Sequence, residues 1–143
     1  MKQVAVGLIM SNGRVLACQR KRNGSYPLKW EFPGGKLENG ESAETAVVRE
    51  LREELGIDAV VGPELHKQEW VYPRSVDDPT GEAFRVFYFL IDHFVGTPAN
   101  HAFEQICWVT PEELKGMDIL EGNQDAVEIL IAHAREKETP DET

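Results

Sequence analysis

Apolar and polar positions divide the chain into short, well-marked elements. Residues 3–10 and 14–19 are apolar runs separated by Ser11-Asn12-Gly13. Asn-Gly between two such runs predicts a hairpin, because both residues accept positive φ. Residues 20–29 are polar, include Asn23-Gly24-Ser25 and Pro27, and read as a loop. Trp30-Glu31-Phe32 is a short extended piece, ended by Pro33-Gly34-Gly35, where the backbone must turn tightly. In the next segment Val47, Leu51 and Leu55 recur every four residues, the stripe of a helix lying on a core. Ser42 is placed to cap it, Glu44 suits the positive end of its dipole, and Gly56 supplies a left-handed stop with Ile57 packing back. The pattern predicts a helix over residues 43–55.

Beyond it, residues 59–71 read as strands interrupted by Gly62-Pro63, and 73–83 as a polar loop containing Asp77-Asp78-Pro79-Thr80-Gly81. Residues 84–95 form a long aromatic and β-branched run that reads as one central strand. Residues 96–101 are a loop and 106–109 a short strand. Pro111-Glu112-Glu113-Leu114 suggests a helical turn with proline at its first position. Asn123 is placed to cap a final helix whose apolar side holds Ala126, Val127, Leu130, Ile131 and Ala134. From about Lys137 the chain reads as a polar tail. Without repeats or a linker, residues 1–143 are expected to form one α/β (α+β) domain.

Composition narrows the role. Of 143 residues, 41% are hydrophobic and 28% charged, ordinary for a globular domain. No apolar run approaches the roughly 20 residues that span a bilayer, and residues 4–10 lack a signal-peptide pattern. A cytoplasmic protein with no membrane partner is expected. Cys18 and Cys107 sit in no metal or redox spacing and read as buried free thiols. The formal charge of −10 disfavours binding a nucleic acid polymer. Acidic groups gathered in one site would instead bind divalent cations, which in turn neutralise a small phosphate substrate.

Glu50, Glu53 and Glu54 gather in that way. At spacings i, i+3 and i+4 they share one arc of the helix, beside its buried stripe. Two explanations stand on these residues alone: a Glu-rich helix relieved by Arg49 and Arg52, or oxygen ligands for Mg²⁺ or Mn²⁺.

Gly35, Glu41 and the run Arg49-Glu50-Leu51-Arg52-Glu53-Glu54-Leu55-Gly56-Ile57 match the signature of the Nudix hydrolases at every defined position. The chain therefore resembles that family. The resemblance implies a mixed β-sheet sandwiched between helices, and hydrolysis of a nucleoside diphosphate linked to another group. It implies Mg²⁺ (or Mn²⁺) held by Glu50, Glu53 and Glu54 with the Gly34 carbonyl, Arg49 orienting a glutamate, and Glu41 in a structural role. Glu104 is the candidate for a further glutamate from a later loop, as base or ligand, or else an exposed loop acid.

Trp30-Glu31-Phe32-Pro33-Gly34-Gly35-Lys36 further resembles the lead-in of MutT-type nucleoside triphosphate pyrophosphohydrolases. By that resemblance Arg20 and Asn123 lie where such enzymes contact the nucleobase, and Lys36 where they contact phosphates. Phe32 is placed either to stack on a base or to pack in the core. The implied reaction converts a (d)NTP, with 8-oxo-dGTP as archetype, to a monophosphate and pyrophosphate. ADP-ribose, nucleotide sugars and dinucleoside polyphosphates are the alternative substrates, and Tyr72-Pro73 lies near marker residues of two of those subgroups. A non-catalytic nucleotide-sensing module is the remaining class. Monomer and homodimer are both open.

Overall fold

The computed structural model describes residues 1–73 and 81–138. The first two strands, β1 (Lys2–Ser11) and β2 (Arg14–Gln19), form the expected hairpin, with Asn12 and Gly13 at φ 52° and 76°. β3 (Trp30–Glu31) pairs with β2, and β4 (Gly34–Lys36) runs antiparallel to the N-terminal half of β1. α1 (Ala43–Leu55) has the predicted bounds. Ser42 Oγ accepts the Thr45 N–H at 3.1 Å, and Gly56 closes the helix in the left-handed conformation with its N–H on the Arg52 carbonyl.

β5 (Asp58–Val60) leads to β6 (Glu64–Tyr72), which pairs antiparallel with β7 (Glu82–Ile91). β7 in turn runs parallel to β1, from Lys2 opposite Phe84 to Ile9 opposite Ile91. The run expected as one strand over 84–95 breaks at Asp92. Its last part, β8 (His93–Val95), leaves the main sheet and pairs with β5. A continuous apolar run carries no mark of a change of partner. β9 (Gln105–Val109) adds to β2, 3-10 turns occupy Glu112–Gly116 and Glu121–Asn123, and α2 (Gln124–Glu138) follows. The main sheet has the order β3-β2-β1-β7-β6, with β4 on β1 and β9 on β2.

Period-two alternation sorts β1 between the two helices. Val6 and Leu8 join Tyr88 and the α2 residues Ala126, Val127, Leu130 and Ile131 in one core cluster. Ala5 and Ile9 join Phe89, Ile91 and the α1 stripe Val47, Leu51 and Leu55 in the other. This is a mixed sheet between two helices. Gly7 lets α1 sit close, since a Cβ there would lie 2.9 Å from Leu51 Cδ1. Truncating the fully buried Leu51 to alanine would cost about 2–5 kcal/mol.

Three expectations need adjustment. α2 continues through Glu138, so the tail does not begin at Lys137, and residues 139–143 lie outside the described residues. Residues 74–80 of the loop expected over 73–83 also lie outside them, and its last two residues, Glu82 and Ala83, belong to β7. Asn123 does not cap α2 with its side chain, which is engaged elsewhere. Cys18 is buried and Cys107 half-buried, both unpaired. Among the described residues no helix is long and apolar enough to cross a membrane.

Candidate active site

Where α1 meets β4, two glycines let a helix face and a strand approach to contact distance. A Cβ on Gly35 would fall 2.3 Å from Glu50 Cδ, inside the space its carboxylate occupies. One on Gly34 would fall 2.1 Å from the Ala5 carbonyl oxygen, so β4 can pair with β1 only with glycine at that position. The Gly34 N–H is thereby aimed at α1 and donates to Glu54 Oε1 at 2.9 Å.

Arg49 organises the acidic face. Its Nε and Nη2 hold both oxygens of Glu41 at 2.8 Å, a bidentate pair. Its Nη1 reaches Glu50 Oε1 at 2.9 Å and Glu53 Oε2 at 3.5 Å, and Nη2 also donates to the Lys36 carbonyl at 3.1 Å. The Arg49 hydrogen bonds hold the Glu41 carboxyl down at about 2. With its guanidinium fully used inside the protein, Arg49 orients glutamates and has no donor left for a ligand.

Glu54 is the group left uncompensated. Burial, then the neighbouring Glu50, push its pKa up to about 8; the Gly34 N–H opposes this, and Glu31 and Glu53 add to it. A half-buried carboxylate facing three others is a place where a cation relieves both desolvation and repulsion. Among the described residues no three of these side chains form a closed ligand cage, because Glu50 turns one oxygen to Arg49 and Glu54 one to Gly34. The second oxygens of Glu50 and Glu54 carry no hydrogen bond from the described residues. An all-oxygen donor set with this charge fits a hard divalent cation.

Glu54, Gly34, Gly35 and Lys36 line a cleft of about 850 Å³. Its floor is one face of the sheet: Val4 and Val6 of β1, Phe84, Val86 and Tyr88 of β7, and Gln68, Trp70 and Tyr72 of β6. The register places Gln68 opposite Val86 and Trp70 opposite Phe84, so alternate residues of neighbouring strands point the same way. Arg20, Tyr26, Glu31 and Asn123 complete the lining.

The cleft thus gathers most of the residues singled out from sequence. Arg20 Nη1 donates to Glu31 Oε1 at 2.8 Å, while Nε and Nη2 hold the Ser25 carbonyl and hydroxyl. Arg20 therefore ties the loop after β2 to β3. Phe32 is buried against the α2-side core and borders the cleft with one edge. Lys36 Nζ lies 5.8 Å from the Phe84 ring centroid. Asn123, only 8% exposed, accepts the Phe32 N–H on Oδ1 at 3.3 Å. The Glu104 carboxylate meets the Arg22 N–H at 3.3 Å and Nε at 3.6 Å, and, like Glu50 and Glu53, it is not among the residues that line the cleft.

Sequence reading missed Glu31, Gln68, Trp70, Tyr26 and Tyr88 as cleft residues. The available signal was the alternation His66, Gln68, Trp70, Tyr72, which puts polar and aromatic groups on an inward strand face.

Comparison with known proteins gives an independent view. Residues 1–131 match the NUDIX domain family. The CTP pyrophosphohydrolase of Escherichia coli (strain K12) is 36% identical over 113 residues, covering 79% of this chain and 78% of that protein. The 8-oxo-dGTP diphosphatase of the same organism is 30% identical over 126 residues, covering 87% and 92%. Among solved structures, the E. coli ORF135 protein superposes with a TM-score of 0.79 at 32% identity, covering 99% of this chain and 95% of that one.

Proposed function

The chain belongs to the NUDIX family of hydrolases acting on phosphoric anhydrides, and from that premise we propose that it converts a nucleoside triphosphate to the monophosphate and pyrophosphate. The observation that carries this reading is one continuous cleft, which runs from Glu54, the member of the α1 glutamate cluster that lines it, to an aromatic compartment bordered by Asn123. That continuity suits a substrate with a polyphosphate at one end and a planar base at the other.

Glu50, Glu53 and Glu54, with the Gly34 carbonyl, are the residues that would hold Mg²⁺ or Mn²⁺. When bound, such an ion polarises phosphoryl oxygens and offsets their charge. The chain's own residues supply the rest. Arg49 fixes the rotamers of Glu50 and Glu53. Lys36, lining the same cleft, offers an ammonium to the phosphates. Asn123 and the Glu31 carboxylate offer a donor and an acceptor to the edge of a base. Trp70, Tyr72 and Phe84 supply apolar walls. An acceptor such as Glu31 favours bases with an exocyclic amino group, as in cytosine and in guanine or its 8-oxo form. The names of the two E. coli relatives fall in those classes.

The test is Mg²⁺-dependent turnover of CTP, UTP, GTP, 8-oxo-dGTP, ADP-ribose, nucleotide sugars and dinucleoside polyphosphates, with products separated by chromatography. Pyrophosphate and a monophosphate from CTP or 8-oxo-dGTP support the proposal. Two monophosphate fragments from ADP-ribose or a sugar nucleotide, with triphosphates left intact, overturn it.

A further inference from the structure

Gly122, in the 3-10 turn before α2, is the point on which polar side chains of the sheet converge. Its carbonyl accepts from Gln68 Nε2 and, at 3.3 Å, from the Tyr88 hydroxyl. Its N–H donates to the Tyr72 hydroxyl oxygen at 3.0 Å. Both backbone polar groups of this one residue are thereby met by side chains more than thirty positions away in the chain. The packing is close enough that a Cβ on residue 122 would lie 2.1 Å from the Tyr72 oxygen.

The grip has a second tier. His66 Nε2 lies 2.8 Å from Gln68 Oε1, so the amide of Gln68 is held with its nitrogen end toward Gly122. The His66 ring lies 5.6 Å from that of Tyr88, which in turn faces Asn123 Nδ2 at 3.5 Å. On its other side Asn123 Oδ1 holds the Phe32 N–H. An asparagine amide has two donors and two acceptor lone pairs. With one of each engaged, one N–H and one lone pair remain for a ligand, in a direction fixed by the surrounding contacts.

We infer that Gln68, Tyr72 and Tyr88 are positioning residues for base selection, clamping the backbone on both sides of Gly122 so that Asn123 meets the nucleobase in a single orientation. Apolar side chains could have covered this turn. What the polar ones add is direction, because a hydrogen bond constrains angle as well as distance. The inference rests on the proposed role of Asn123 at the base, and its test separates the two.

Steady-state kinetics with CTP, UTP, 8-oxo-dGTP and GTP would be measured for Gln68→Met, Tyr72→Phe, Asn123→Ala and the Tyr72→Phe/Asn123→Ala pair. Each clamp variant is expected to raise KM for the preferred nucleotide and compress base preference by about fivefold, the scale of one neutral hydrogen bond. Their kcat should fall by no more than about threefold, since the glutamate cluster is untouched. In the pair, Tyr72→Phe should add little to Asn123→Ala, because both act through one contact. Unchanged base preference in both clamp variants, or full additivity in the pair, would overturn the clamp. If Asn123→Ala itself leaves preference intact, the base reading fails with it, and that variant alone reports so. Thermal melts of each variant give the fold readout separately.

Discussion

The parts of the cleft proposed to face phosphate and base are held together by contacts of very different range. Glu54, Gly34, Gly35 and Lys36 come from one stretch, residues 34–54, and their linking hydrogen bond from Gly34 to Glu54 spans 20 positions. Arg20, Glu31, Tyr72 and Asn123 come from four separate elements, and the bond from Phe32 to Asn123 spans 91. A site made within one loop and helix depends on local spacing and little else. A site made by tertiary packing depends on the whole sheet. Damage to the first should therefore abolish chemistry while sparing the fold, and damage to the second should change which substrate is preferred.

The largest effect separating the two is expected from Glu54→Gln. Loss of one carboxylate should lower kcat at saturating Mg²⁺ by about 10³-fold, as expected when several kcal/mol of transition-state stabilisation is lost. Base preference should stay constant, which assays on the nucleotide panel would show. A shift in preference would mean that the two parts are not independent. Gly35→Ala comes next, because its Cβ would displace the Glu50 carboxylate. Overpacking of this kind costs about 1–3 kcal/mol of stability, read by denaturant melts, and activity should fall about 10²-fold from the misplaced carboxylate. Asn123→Ala should act in the opposite sense, cutting discrimination between CTP and UTP by about tenfold with a smaller change in kcat, in line with the loss of one or two base contacts.

The smallest effect concerns stability alone. The folded Glu54 carboxyl is raised from 4.5 to about 8, so between those values the folded state holds a proton that the unfolded chain has released. Without metal, stability should fall as pH rises through that window, read as a Tm that declines with pH. Glu54→Gln should flatten the decline, and Mg²⁺ should reverse it. A metal-free Tm that rises over the same window would contradict the environment assigned to Glu54.

This contrast in range also explains what was readable in the sequence. The bounds of α1 followed from Ser42, the four-residue stripe and Gly56, all local devices. The β1–β2 turn followed from Asn12-Gly13 for the same reason. Arg49 and the glutamates were found because a helix converts spacing into a shared face. The clamp on Gly122 left no comparable trace, since Gln68 and Tyr88 are unremarkable strand residues until β6 is paired with β7, and Tyr72 stood out only as a subgroup marker. Asn123 was identified, but the α2 cap expected of its side chain is not formed. The turn Glu121–Asn123 already winds the chain before α2, and the amide is taken by Phe32 and Tyr88. The break at Asp92 was hidden because β7 and β8 share one composition while pairing with different sheets.

The parallel pairing of β1 with β7 has a consequence for how the molecule is made. β1 lies in the middle of the sheet, yet the strand that flanks it along most of its length is synthesised only after β2, the glutamate helix and β6. As the chain leaves the ribosome, the hairpin and α1 can form from their own sequence, while one side of β1 waits uncovered. Pairings this distant close slowly and leave apolar strand edges open in the meantime. The nascent chain would then hold its glutamate helix early and its aromatic compartment last, with the exposed edge of β1 as the point where a chaperone or a neighbouring nascent chain would first engage it.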